Sequence, residues 1–457
     1  MRRPELTLSA LQTKTHNHAA GLHDTDVLVI GGGPAGSTAA TLLRERGHRV
    51  TLLEKDHHPR FHIGESLLPA NLELFERLGV ADEVRAIGMP KWGAEFVSPW
   101  HGRGENYLFA DSWGCRQGHA YQVRRSEFDH ILLRRSAAVG AQVIEDCRVE
   151  RVEFLDAGGG VRVHGRHQDG RAQTWHARFV VDASGRDTLL ASQLGLKARN
   201  RRHNSAAIYA HFSGAVRAAD KRAGDITIFW FDHGWFWFIP LADGATSIGA
   251  VVWPYYLKRR QGNLQDFFLA TIAECPALAA RLAGAQLCSP VEATGNYSYA
   301  ARRSHGENYV LLGDAYAFID PVFSSGVWLA MQSAVAGTAA ADTCLREPQR
   351  ARSALRRFDR VMRHGPRTFS WFIYRINNPI MRDLFMNPSN MLRMKEAILS
   401  VLAGDIYAQT PIWRSLRLFK CVYVLISLLS WRRSLRAARI RRHNIRLEPL
   451  EHPAARG

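Results

Sequence analysis

The chain has 457 residues, room for two or three domains or for one large cofactor domain with insertions. With 46% hydrophobic and 22% charged residues its composition is that of an ordinary globular protein and excludes a disordered chain. Lys and Arg outnumber Asp and Glu by 60 to 42, a formal net charge of +18; this favours an anionic cofactor, an anionic lipid surface or an acidic carrier protein, while nucleic acid ranks last because no nucleic-acid sequence signature is present.

Residues 1–24 lack the continuous apolar core of a signal peptide and are expected to form a loose leader. "TDVLVI" at 25–30 suits a buried parallel strand, "GGGPAGSTAATLLRERG" a glycine-rich turn and a helix ending near Gly47, and "RVTLLE" at 49–54 a second strand. This βαβ unit predicts a doubly wound α/β sheet. A helix near 126–139 and the alternating strands "AQVIEDCRVERVEF" and "ARFVVDAS" follow. From about 204 to 253 the chain is dense in strand-like segments, among them "GWFWFIP" at 234–240. Strand alternation sends Trp235 and Trp237 to one face and Phe236 and Phe238 to the other. Pro240 has no N–H to give a ladder, so the strand should end there or lie at an edge. "NYVLLGDA" at 308–315 returns to a buried strand and tight turn, a long helix is expected from about 325 to 345, and beyond 350 the chain is helical and basic. The predicted division is a leader at 1–24, a nucleotide-binding core at 25–200 continuing at 295–350, an antiparallel β-sheet insertion on the substrate side at 201–294, and a helical basic region at 351–457. Six scattered cysteines, with no C-x-x-C pair and no metal-ligand spacing, read as reduced thiols of a cytoplasmic protein with no metal site.

Gly31, Gly33 and Gly36 fit G-x-G-x-x-G between a strand and a helix. The glycines permit a tight turn and close approach of a pyrophosphate, which sits at the helix N-terminus where unpaired N–H groups and the helix dipole favour negative charge. Pro34, Ala35 and Ser37 belong to the same cofactor-binding turn. Glu54, ending the second strand 23 positions after Gly31, is placed to accept a hydrogen bond from a ribose hydroxyl.

The loop itself does not separate NAD from FAD. "RSEFD" at 125–129 and "LLGDAYAFIDP" at 311–321, with "DASGR" at 182–186, resemble motifs of the glutathione-reductase-like flavoproteins that include aromatic hydroxylases. That resemblance implies FAD, with Arg125 near its pyrophosphate and Asp314, after Gly313, on its ribityl chain.

Trp235-x-Trp237-x-Ile239-Pro240 matches W-x-W-x-I-P, and on it the chain resembles the flavin-dependent halogenases. The likeness spans roughly residues 25–410, and "NPSNMLRMKEAILSVLAGDIY" at 387–407 is similar to the C-terminal part of the phenol- and pyrrole-modifying branch. By the resemblance, reduced FAD and O2 form a flavin C4a-hydroperoxide, chloride or bromide attacks it, and the hypohalous acid passes to a lysine. The two tryptophans stand beside the flavin and keep the aromatic substrate away. Lys91 in "GMPKWGAEFV" resembles that active-site lysine, where an ammonium would polarise the hypohalous acid and a neutral amine would form a chloramine. Either route needs a desolvated amine. Ser325 and Gly326 in "DPVFSSGVWLAM" are the expected halide-binding residues, and Gly64 and Ser66 in "FHIGESLLP" are expected FAD contacts. The partners implied are a separate flavin reductase and a small phenol or pyrrole, free or tethered to an acyl or peptidyl carrier protein. The competing reading is an FAD-dependent hydroxylase or a prenyl or polyene reductase. The His-rich and Arg-rich ends match no motif of the family. At 414–446, Arg432, Arg436 and Arg439 share one helix face, which suits a solvated face, an acidic carrier protein or peripheral contact with an anionic membrane. The longest apolar run, at 421–431, is too short to span a bilayer.

Overall fold

The computed structural model describes residues 23–446 apart from 115–116, 157–158, 201–202, 296–297 and 409. The expected leader therefore lies outside the described residues except for its last two positions, which begin the first strand.

That strand spans His23–Ile30, and its Val27, Leu28 and Val29 are wholly buried. Each such side chain contributes about 1.5–3 kcal/mol relative to exposure. It lies between Val50–Leu53 and Ala172–Asp182, and Gln142–Ile144 extends the sheet beyond Val50–Leu53, all parallel. Tyr309–Leu311 adds in parallel to the end of Ala172–Asp182, whose beginning pairs instead with Val161–His167 of an antiparallel hairpin. The stretch expected as one strand over 141–154 is broken: Gln142–Ile144 stays in the parallel sheet, and Asp146, at φ 56°, turns the chain into the hairpin strand Cys147–Phe154. Helices Pro34–Glu45, Arg125–Ala138 and Gly326–Arg346 pack on this sheet and on one another.

The second sheet runs in the order Gln286–Leu287, Ala206–Ser213, Thr246–Val252, Gly234–Pro240, Ile226–Phe231, Gly93–Ser98, Arg103–Leu108, with Glu292–Thr294 also on Ala206–Ser213. It is not purely antiparallel. The hairpin 93–108 comes from the stretch preceding the insertion and joins its edge, so that Gly93–Ser98 runs parallel to Ile226–Phe231. The Trp strand is central and stops at Pro240, still in register with Thr246, after which the Leu241 N–H donates to the Ala245 carbonyl at 2.8 Å and closes the turn. Its alternation is as expected. Trp235, Trp237 and Ile239 join the core shared with the C-terminal helices, while Phe236 and Phe238 pack under helices Leu264–Ala273 and Pro276–Arg281. The Trp237 ring lies over Gly249 of the next strand, where any Cβ would collide with the indole.

The C-terminal region is helical, as expected: Ala351–Ile373, Pro379–Met386, Met394–Ala403, Ile412–Leu429 and Trp431–Arg446. Phe369, Phe372, Leu399, Leu416 and Phe419 tie it to the Trp face of the second sheet in one continuous core.

Candidate active site

A cavity of ≈ 560 Å³ opens at the carboxyl end of the first strand, where ligands of open parallel sheets bind. It is lined by Gly31, Gly33, Pro34 and Ala35 of the turn, by Glu54, Gly64, Ser66 and Arg125, by Asp314 and Gly326, and by Trp235, Trp237 and Ile239. One cavity thus gathers residues from 31 to 326.

The glycines do different work. A Cβ on Gly36 would run into the Gly31 carbonyl, and one on Gly31, at φ +100°, would strike the Ala183 carbonyl. These two serve close packing of helix on strand. Over Gly33 the nearest atom to such a Cβ is 3.7 Å away, and the helix that begins after it has no side-chain cap. An open cradle beside uncapped N–H groups fits a pyrophosphate. Ser37 turns inward and donates to the Gly32 carbonyl at 2.8 Å. Glu54 accepts from the backbone N–H groups of Gly32 and Asp56. Arg125 is clamped to Asp129 at 2.8 and 3.0 Å and donates to the Ile63 and Gly64 carbonyls, so it braces the loop 63–66 against the cavity. Gly313 forms the turn, its N–H donating to Ser333 Oγ at 2.8 Å, and burial pushes the carboxyl of Asp314 up to about 6. These features fit FAD along the cavity.

Trp235 and Trp237 are 2% and 5% exposed, with ring centroids 6.2 Å apart, and they form a wall of the cavity. Trp237 Nε1 donates to Ser247 Oγ at 3.1 Å, which fixes its ring.

Lys91 ends the strand Met89–Lys91 and is 1% exposed. It does not line the cavity. Its Nζ donates to Ser66 Oγ at 2.9 Å and to the Leu67 carbonyl at 3.1 Å, and it stands 5.2 Å from the centre of the Phe109 ring. Ser66 is the residue common to the cavity wall and the amine. Burial lowers the Lys91 pKa to about 7, opposed by the charge of Asp225. Asp225 accepts from the N–H groups of Trp92 and Gly93 at 2.7 and 2.8 Å, anchoring the backbone next to the lysine.

At the third predicted site, Ser324 (φ 55°) turns the chain into the helix Gly326–Arg346. Ser324 and Gly326 line the cavity, whereas Ser325 does not; it is 1% exposed and its hydroxyl has no partner. The free first-turn N–H groups at this end suit an anion.

Two residues of the site carried no signal in the sequence, and a third, Glu65, had no role assigned. Asp225 is brought beside Lys91 by the second sheet. Arg60 bonds Asp129 at 3.2 Å and lines the cavity. Glu65, also lining it, is 1% exposed and paired with His211 at 2.8 Å. Glu65 sits within the quoted "GES" turn, but only the fold reveals His211.

The FAD binding domain family model matches residues 24–341. The 1H-pyrrole-2-carbonyl-[peptidyl-carrier protein] chlorinase of Pseudomonas fluorescens is 31% identical to this chain, over 84% of it and 90% of the relative. The chain belongs to the flavin-dependent halogenases. The tryptophan 2-halogenase of Chondromyces crocatus is 36% identical over 69% of the chain and 60% of its own length. Among solved structures, the myxobacterial chondrochloren halogenase CndH matches with TM-score 0.75 at 34% identity, covering 86% of this halogenase and 93% of that chain. A flavoprotein/dehydrogenase from Cytophaga hutchinsonii superposes with TM-score 0.82 at 29% identity, over 89% and 100% of the two chains. Among the described residues this halogenase holds no cluster of three metal-ligating side chains, and no helix long and apolar enough to cross a membrane.

Proposed function

We propose that this halogenase installs chlorine or bromine on an electron-rich ring, a phenol or a pyrrole, free or carried by a carrier protein, with Lys91 delivering the halogen. The observation that carries the reading is a fully buried amine bonded to Ser66, a residue of the same cavity wall that holds Trp235 and Trp237. When bound, reduced FAD with O2 supplies the oxidising equivalent that converts halide into hypohalous acid; a separate flavin reductase supplies the reduced cofactor.

The chain's own residues do the rest. The uncapped helix after Gly33 binds the pyrophosphate, and Glu54 and Asp314 hold the sugar ends of the cofactor. The turn at Ser325 and Gly326 holds the halide through backbone N–H groups. Trp235 and Trp237 are too bulky to let a ring through, so only a small oxidant leaves the cavity. Beyond the barrier the ammonium form of Lys91 hydrogen-bonds the oxygen of hypohalous acid and makes its halogen electrophilic. The ring carbon takes the halogen and loses its proton, and water leaves. A pKa near 7 holds the amine ready to exchange that proton at neutral pH.

The test supplies the protein with reduced FAD, O2 and chloride or bromide, and follows a phenol substrate together with hypohalite release. Lys91→Ala should release hypohalite yet halogenate at least a hundredfold more slowly. Full-rate halogenation by that variant refutes the role of Lys91, and oxygen-18 entering the product without any halide requirement refutes halogenation in favour of hydroxylation.

A further inference from the structure

The helix Ile412–Leu429 buries Ile412, Leu416, Phe419 and Tyr423 against the core, one stripe at i, i+4, i+7 and i+11. The opposite face of a surface helix should be polar. Here its second half is apolar instead: Val424, Leu425, Leu428 and Leu429 are 50%, 57%, 66% and 76% exposed. After the turn at Ser430, Trp431 and Leu435 of the last helix continue the exposed edge. Within the hairpin itself the charge has one sign, although Arg433 is paired with Asp383 of the helix Pro379–Met386. Between 412 and 446 the chain holds ten Lys or Arg and no Asp or Glu, and Arg414, Arg417, Arg436 and Arg439 are exposed.

We propose that this helical hairpin seats the halogenase on an anionic bilayer surface. Leucines and a tryptophan enter the headgroup–acyl boundary while the flanking arginines meet lipid phosphates. An acidic protein would satisfy the arginines, but it would need a hollow shaped to six large apolar side chains spread over two helices. A bilayer interface accepts them in any arrangement. Neither helix is long and apolar enough to cross, so the hairpin lies on the surface. Val424, Leu428 and Trp431 also rim a groove of ≈ 1880 Å³ that meets the flavin cavity at Ala317, Phe318 and Ile319. Docking by the hairpin sets the mouth of that groove against lipid.

The experiment is flotation of the full-length, FAD-loaded protein with vesicles of phosphatidylcholine alone and of phosphatidylcholine with about one third phosphatidylglycerol. The wild type should float with the anionic vesicles at least about tenfold more than with the neutral ones, and lose that preference at high salt. Leu425→Glu/Leu429→Glu and Arg436→Glu/Arg439→Glu should each cut anionic-vesicle binding about tenfold or more. Leu425→Ser/Leu429→Ser should do so more mildly, with an unchanged circular dichroism spectrum. Halogenation of a soluble phenol should be unaffected by all three, so the docking and the chemistry fail separately. Three results overturn the proposal: wild type that stays unbound or floats equally with both lipids; a dimer that the Leu→Glu pair dissolves, making the face a self-interface; or an acidic carrier protein held at this face while vesicles are not.

Discussion

Lys91→Met tests the buried amine through stability rather than activity. Methionine keeps the length and apolar stem of the side chain and removes the titrating nitrogen. In the folded chain the amine has a pKa of about 7 against 10.5 when unfolded, because burial penalises the ammonium. Between those values the unfolded chain binds more protons than the folded one, so wild-type stability rises with pH through this window and is lost as pH falls toward 7. From pH 7 to 9 the difference in bound protons integrates to about 1.7 pH units, or about 2 kcal/mol. The variant loses donors to Ser66 Oγ and the Leu67 carbonyl, a cost of about 1–3 kcal/mol that does not change with pH. It therefore shifts the curve without tilting it. Urea unfolding of wild type and Lys91→Met at pH 7, 8 and 9 should show wild type gaining about 2 kcal/mol on the variant over that range. Parallel curves, within about 0.5 kcal/mol, would refute a desolvated amine and with it the neutral-pH chemistry assigned to Lys91.

Other expectations concern the rest of the site. Halogenation by wild type relative to Lys91→Ala, measured in single turnovers with hypohalite supplied, should fall as pH rises above about 7 and the ammonium loses its proton; a ratio that climbs through that pH refutes the ammonium and marks the free amine and a chloramine. Gly249→Ala should push the Trp237 ring off its seat, cost about 1–3 kcal/mol and raise the ratio of oxidant leaked to product formed, read by a hypohalite trap. Gly36→Ala, which drives a methyl into the Gly31 carbonyl, should lower the melting temperature of the FAD-free protein far more than Gly33→Ala, whose methyl enters the open cradle and should instead weaken FAD binding, measured by melting and flavin fluorescence of the two proteins. Asp314 has a folded pKa of about 6, above its usual 3.8, so its ionisation destabilises the fold as pH rises through that window. Asp314→Asn should make the FAD-free protein more stable at pH 7 by up to about 3 kcal/mol while weakening FAD binding; a variant less stable than wild type there refutes the buried carboxylate.

Much of this protein is written in local pattern. The βαβ turn at 23–54, the helix starting at Pro34, the long helix after Ser325 and the basic helical end are legible because strand and helix periods and glycine turns act over a few neighbouring residues. The same holds for the two faces of "GWFWFIP" and its stop at Pro240. The family likeness, too, rests on short contiguous motifs. What no window of sequence contained was distance. Nothing in "KWG" or "AGDIT" says that Asp225 anchors the backbone beside Lys91; a parallel strand pairing between segments 132 positions apart does so. The break of 141–154 into two strands at opposite ends of one sheet depended on one residue with positive φ. That Lys91 is shut away from water at all, and so carries a shifted pKa, follows from packing Phe109, Leu67 and the second sheet around it. Desolvation belongs to a whole neighbourhood rather than to a residue type, and only the folded chain builds that neighbourhood.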